Sequence, residues 1–193
     1  MTTVSAPPRV PGTDEDGLPS VDRAGFRSLM GSFMSGVSIL TSRRADDSPV
    51  GMTCSAVCSV SADPPLLLAC VNTPSATLDA ITDKNRFVVN FLDVGADTVS
   101  DLFASRTADK FDVVDWLPGE VTGMPVLADV VAHAECVVHE VREAGDHVIV
   151  IGRITGGEVM PERFPLGYWR GSYTRSLRMP RRTGQAAEES SRG

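Results

Sequence analysis

The chain has 193 residues, 42% of them apolar and 22% charged, with a mean hydropathy near zero; this is globular composition, not disordered, fibrous or disulfide-stapled. No apolar run approaches the ~20 residues of a membrane-spanning helix, and the opening MTTVSAPPRVPGTDEDG lacks a basic-then-apolar secretory pattern, so a soluble cytoplasmic protein with no membrane partner is expected. With 18 Lys and Arg against 25 Asp and Glu, a net charge of −7, charge argues against a nucleic-acid partner, although a few placed Arg side chains and backbone amides can still hold a small anion.

Residues 1–19 are Pro- and Gly-rich with an acidic DED run, and read as a flexible arm ahead of one domain over residues 20–175. Ser20 is expected to cap a helix whose apolar stripe is Phe26, Leu29, Met30, Phe33 and Met34, at i, i+3, i+4, i+7 and i+8. Gly36 ends it, and VSILTS reads as the first strand. After the turn-like RRADDSP, the segment GMTCSAVCSVS alternates as one strand, Pro64–Pro65 breaks the chain, and LLLACV is a short apolar run. Ser75–Asp83 reads as a helix, Arg86–Leu92 as a strand and Asp97–Ala104 as a helix. Lys110–Met124 looks like a loop anchored by Phe111 and Trp116.

VVAHAECVVHEVRE and HVIVIGRI flank Ala144–Gly145–Asp146, a strong hairpin signal. LGYWRGSY makes a last short strand, and residues 176–193 form a basic, disordered tail. Many short strands, a few helices and no βαβ rhythm predict a mainly β protein, an antiparallel barrel with peripheral α-helices. Cys54, Cys58, Cys70 and Cys136 are expected as reduced, packed thiols, with no metal, since no second pair follows at zinc spacing and the histidines are scattered.

Read as one extended strand, Gly51–Ser61 places Thr53, Ser55, Ser59 and Ser61 on one side. Met52, Cys54, Ala56, Cys58 and Val60 fall on the other. Four small hydroxyls suit the polar rim of a flat heteroaromatic ligand; the segment alone favours the plainer reading, a strand with one wet face. Asn72–Thr77 lies where a strand passes into a helix, so Ser75 and its neighbours offer either an ordinary cap or an anion site at a helix N-terminus. Arg106, just past the third helical segment, reads as a phosphate contact or as a solvated side chain. His147 follows the Gly145–Asp146 turn at a loop mouth, whereas His133 and His139 fall within a strand pattern and read as structural.

In this order the pieces FMSGVSILT, GMTCSAVCSVSADPPLLLACVN, SAT, FVVNFL, LFASR, DKF, GDHVIVIG and YWRGSY resemble the short-chain NAD(P)H:flavin oxidoreductases. These are the reductase components of two-component flavin-dependent monooxygenases, with a flavin-reductase-like FMN-binding split barrel. The resemblance runs from about Phe26 to Tyr173 and departs at Cys54–Ser55, where the family has Ala-Asn. It implies flavin contacts from Thr53, Cys54, Ser55, Ser59, Val60, Ser61, Asn72, Ser75, Ala76, Phe103 and Arg106. His147 would lie on the nicotinamide side as the catalytic residue, positioning rather than transferring protons, with Gly36, Phe111 and Tyr173 lining the cleft. It favours the flavin site over the wet strand.

The resemblance further implies FAD or FMN as flavin, NADH or NADPH as hydride donor, a homodimer, and a monooxygenase that receives the reduced flavin. The protein's task would be to stack two rings at roughly 3–3.5 Å and orient them. Two rivals remain at this stage. One is a non-catalytic flavin- or haem-binding split-barrel carrier or sensor; the other is an enzyme that keeps its FMN and oxidises an amine, for which no clustered basic pocket is visible.

Overall fold

The computed structural model describes residues 18–175. The expected arm, apart from Leu18 and Pro19, and the expected tail lie outside the described residues. In chain order come α1 (Arg23–Gly31), β1 (Ser35–Gly36), β2 (Ser38–Arg43), β3 (Pro49–Cys54), β4 (Val57–Ala62), β5 (Pro65–Asn72), α2 (Ala76–Lys84), β6 (Arg86–Leu92) and α3 (Asp97–Ala104). A 3₁₀ turn (Lys110–Asp112) follows, then β7 (Trp116–Pro118), β8 (Pro125–Leu127), β9 (Val130–Ala144), β10 (His147–Val159), β11 (Leu166–Trp169) and β12 (Ser172–Arg175). Among the described residues no helix is long and apolar enough to cross a membrane.

Seven strands form one antiparallel sheet in the order β3-β2-β6-β9-β10-β5-β4. Ser55 and Ala56 carry the chain directly from one edge strand to the other, so the sheet curls on itself. The Cys70 amide donates to the Ala56 carbonyl at 2.9 Å and the Cys54 thiol to the Cys70 carbonyl at 3.4 Å, tying the seam. The result is the expected split barrel, with three peripheral α-helices among the described residues.

Both faces of the central strands are covered, which is why β2 is buried along nearly its whole length. Leu40, Phe87, Val89, Cys136 and Val150 point into the barrel, with Leu78 and Ile81 of α2 closing it. Ile39, Leu92, Phe103, Leu127, Val130 and Leu166 build a second cluster under α3 and the C-terminal strands. In the first cluster Gly152 has to be Gly: a Cβ there would come 2.5 Å from Phe87 Cζ.

Several expectations need correction. Asp22, not Ser20, caps α1, its Oδ1 accepting from the Gly25 amide at 2.7 Å. The helix stops at Gly31, five residues before Gly36, which instead pairs with Gly167 in a small sheet. The stripe does not face a core: Phe26, Leu29, Met30, Phe33 and Met34 are 52–71% exposed.

Gly51–Ser61 is not one strand. β3 pairs with β2 and β4 with β5, and the break resets the alternation. Cys54 and Val57, three apart, both pack inward, while Ala56, Cys58 and Val60 are exposed. Lys110–Met124 contains the 3₁₀ turn and β7, and its two aromatics do anchor it, in an edge-to-face chain Phe103–Phe111–Trp116 with centroids 5.1 and 5.8 Å apart.

Most of the remaining elements follow the expected pattern. α2, β6 and α3 fall where the sequence puts them. The β9–β10 turn is the pair Gly145–Asp146, with Gly145 at φ 65°, because Ala144 already pairs with His147. LGYWRGSY, expected as one last short strand, is instead a whole hairpin, β11–β12, turning at Arg170 and Gly171.

Candidate active site

The start of β3 with its preceding hairpin, the N-terminus of α2, and the C-terminus of α3 with the loop after it enclose a cavity of about 690 Å³. That is the size of pocket which takes a whole cofactor-sized ligand, about 300–1,000 Å³.

Each wall is locally determined. Ser75 is extended and its Oγ accepts from the Leu78 amide at 3.3 Å, starting α2. First-turn amides have no acceptor within the helix and sit at the positive end of its dipole; Ala76 and Thr77 of this turn line the cavity. The chain entering the turn is fixed from the β9–β10 tip, since the Asp146 carbonyl accepts from both the Thr73 amide (3.1 Å) and the Thr73 hydroxyl (3.2 Å).

On the facing wall Phe103 is 1% exposed. Lys110 closes the end of α3, its Nζ donating to the carbonyls of Phe103 (2.9 Å) and Ser105 (2.8 Å) and lying 5.6 Å from the Phe103 ring centroid. Burial lowers the Lys110 pKa below the usual lysine value. Ser105 accepts from the Thr107 amide at 3.1 Å, which stiffens the turn bearing Arg106. The Thr53 hydroxyl ties β3 to α3 through the Ser100 carbonyl at 2.6 Å. Arg44, Arg106 and Lys110 line the cavity against Asp109 and Asp112, a local cationic excess in a chain of net charge −7.

Of the expected site residues, Thr53, Asn72, Ser75, Ala76, Phe103, Arg106 and Phe111 line this one cavity. Cys54, Ser55, Ser59, Val60 and Ser61 do not. Cys54 is buried in the barrel, Ser55, Ser59 and Val60 are exposed, and Ser61 is half-buried. The expectation of one hydroxyl-bearing ribbon is therefore corrected, because the chain switches strand partners at Ser55–Ala56.

His147 is outside the lining but pairs directly with Asn72, which is in it, and its Nδ1 lies 2.7 Å from the Asp146 carboxylate. That contact is the main reason the Asp146 carboxyl stays below its usual range. Gly36 sits in β1, away from the lining. Tyr173 packs on the second cluster and donates its one hydroxyl proton to Asp101 Oδ1 (2.6 Å), with Ser100 Oγ of α3 3.0 Å from the same hydroxyl. Burial, then the Asp101 carboxylate, raises the Tyr173 pKa.

Sequence reasoning missed Arg44 and Lys110. Lys110 had a signal, since it stands in the DKF run from which only Phe111 was taken; Arg44 sat in a turn that looked like plain solvent.

With charge-assisted donors, a free helix start and an aromatic wall around one cavity, the site fits a phosphorylated ring ligand such as a flavin nucleotide. The comparisons agree in kind. Residues 30–176 match the profile of the flavin reductase like domain. The chain is 48% identical over 157 residues to a flavin reductase (NADH) of Kitasatospora aureofaciens, covering 80% of this chain and 82% of that one. It is 36% identical over 156 residues to the reductase subunit of a flavin-dependent monooxygenase of Mycobacterium tuberculosis, covering 80% and 82%. An NADH:FAD oxidoreductase of Streptomyces globisporus, solved with NAD and FAD fragments, superposes with a TM-score of 0.76 at 35% identity, over 80% of this chain and 93% of that one. This chain belongs to the flavin reductase like family.

Proposed function

We propose that the protein is an NAD(P)H:flavin oxidoreductase, carried on a split-barrel domain over residues 20–175, that reduces FAD or FMN for a partner monooxygenase. The observation supporting this most directly is the cavity, which sets an aromatic wall and basic side chains opposite the free amides of α2. When bound, the flavin supplies the N5 that accepts a hydride from the nicotinamide.

The chain's own residues bind and orient. Ala76 and Thr77 amides with Arg106 take the ribityl phosphate; Thr53, Asn72 and Ser75 meet the flavin itself; Phe103 and Phe111 exclude water from its edge. Cys54, Ser55, Ser59, Val60 and Ser61, on the strand run beyond Thr53, and Gly36 and Tyr173 belong to the outer rim of this reading. His147, oriented by the Asp146 carboxylate, positions the nicotinamide at the mouth.

The exposed apolar stripe of α1 and the turn after it supports a homodimer, since three large side chains on the helix (Phe26, Leu29, Met30) and two just past it (Phe33, Met34), all more than half exposed, mark an association surface. Cytoplasmic localisation fits four free cysteines and a need for NADH. The test mixes purified protein with catalytic FAD or FMN and excess NADH. Steady loss of NADH absorbance over many turnovers is expected. A flat trace with flavin bound would make it a carrier instead.

A further inference from the structure

Arg43 and Arg44 leave β2 side by side, and the structure uses them differently. Arg43 is committed to the fold: its Nε donates to the Gly123 carbonyl at 3.0 Å, its Nη1 to the Asp47 carbonyl at 2.9 Å, and its guanidinium lies 5.2 Å from the Trp116 ring centroid. Arg44 instead lines the cavity. It donates through a single nitrogen, Nη1, to the Ser48 hydroxyl and the Pro49 carbonyl, both at 3.2 Å. A guanidinium has five N–H donors in a fixed fork, so most of its capacity stays available while its position is fixed.

The turn carrying Arg44 is itself stiff. The Arg44 amide donates to the Ser48 carbonyl (2.9 Å) and the Asp47 amide to the Arg44 carbonyl (3.0 Å). Asp46 holds Ser48 through both its amide (3.0 Å) and its hydroxyl (2.6 Å). The Lys84 ammonium at the end of α2 grips Asp47 at 2.6 Å. Arg106, by contrast, reaches the same cavity from the loop after α3, with no ion pair or hydrogen bond of its own among the described residues.

Two guanidinium groups thus come to one cavity from separate elements, beside a helix start that the reading above gives to one phosphate. A mononucleotide flavin has a single phosphate, and Arg106 with the α2 amides suffices for it. A dinucleotide flavin brings a second phosphate and an adenosine, which need a further cation and further room.

We infer that Arg44 is a specificity-determining residue that takes the outer phosphate of a flavin dinucleotide and so favours FAD over FMN. The inference rests on the flavin reductase reading above. Bidentate pairing suits Arg at such a position, and Lys supplies charge without the fork.

The test measures dissociation constants for FAD, FMN and riboflavin by quenching of flavin fluorescence, on the full chain and on Arg44→Ala, Arg44→Lys and Arg106→Ala. In Arg44→Ala the ratio of the FAD constant to the FMN constant rises about tenfold, the size of one charge-assisted contact. Arg44→Lys recovers part of it. Arg106→Ala weakens FAD and FMN alike, and riboflavin responds to neither change. An unchanged FAD-to-FMN ratio in Arg44→Ala overturns the inference, and so does a change that appears instead in the ratio of NADPH to NADH Michaelis constants. Wild-type protein that binds none of the three flavins overturns the reductase reading itself, so the two failures are distinguishable.

Discussion

The Thr53 hydroxyl donates to the Ser100 carbonyl at 2.6 Å, joining the third strand of the barrel to the helix that covers it. Ser100 is fully buried, and its own hydroxyl lies 3.0 Å from the Tyr173 hydroxyl. The Thr53 bond thus holds α3, and with it the Phe103 wall, against β3, while Tyr173 holds the same helix through Ser100 and Asp101. Replacing Thr53 by Val removes the β3 bond and keeps the shape. The expected cost is about 1 kcal/mol, or about 2–4 °C in melting temperature for a domain of this size, with weaker flavin binding. Thr53→Ser restores both; calorimetry and flavin titration read the pair.

His147 offers a cleaner separation of the two ligands. It pairs with Asn72 across the sheet but stays out of the cavity lining. His147→Ala is expected to raise the NADH Michaelis constant by about tenfold, the loss of one good polar contact, with the flavin dissociation constant changed less than twofold. Equal loss of both ligands in paired titrations would remove His147 from the nicotinamide side.

Glu135 carries a pH dependence whose sign can be worked out. It is 2% exposed, and its carboxylate accepts from the amides of Val121 (3.1 Å) and Thr122 (2.7 Å) and from the Thr122 hydroxyl (2.7 Å). Burial pushes its pKa up, but the Thr122 and Val121 bonds outweigh it, and the folded value lies below 4.5. A lowered carboxylate pKa stabilises the fold above the unfolded value and loses that contribution as pH falls through the folded one. Glu135→Gln, which turns an amide group on those donors, is expected to cost about 1–3 kcal/mol near neutrality. The gap between wild type and variant in urea midpoints narrows as the pH drops below 4.5; a constant gap would contradict the assignment.

The barrel interior is filled to contact at Gly152. An added Cβ meets Phe87 Cζ at 2.5 Å and Cys136 Cβ at 3.0 Å. Phe87 is wholly buried and has nowhere to retreat. Gly152→Ala should cost about 1–3 kcal/mol by overpacking, measured as a lower urea midpoint with an unchanged slope.

What the sequence made legible was local. Ser75 announces α2 through a cap, and the Gly145–Asp146 turn announces its hairpin through φ. β6 needed only its own run of β-formers. The stripe from Phe26 to Met34 was equally visible, but periodicity says nothing about what covers a face, and here the described residues leave each of its side chains more than half exposed. The strand through Cys54 failed for a different reason. Its two halves pair with strands from opposite ends of the sheet, and a corner of that kind is decided by closure of the barrel and not by the residues at the corner. The site was half visible for the same cause: Ser75 and Phe103 stand in recognisable runs, whereas Arg44 matters because a turn folds over a cavity made elsewhere.

The α1 face gives the last test. Phe26→Asp with Leu29→Asp places two charges on it, and the expected outcome is a halved mass in light scattering at unchanged circular dichroism. A mass that is the same in both proteins would free that face from any role in association.

The cavity lies between two separate apolar clusters, with Met52 packed against one and Phe103 belonging to the other. The two clusters sit on opposite faces of the same strands, with Leu40 and Ile39 adjacent in β2, so both jaws are fixed to one continuous sheet and a bulky guest meets walls already set before it arrives.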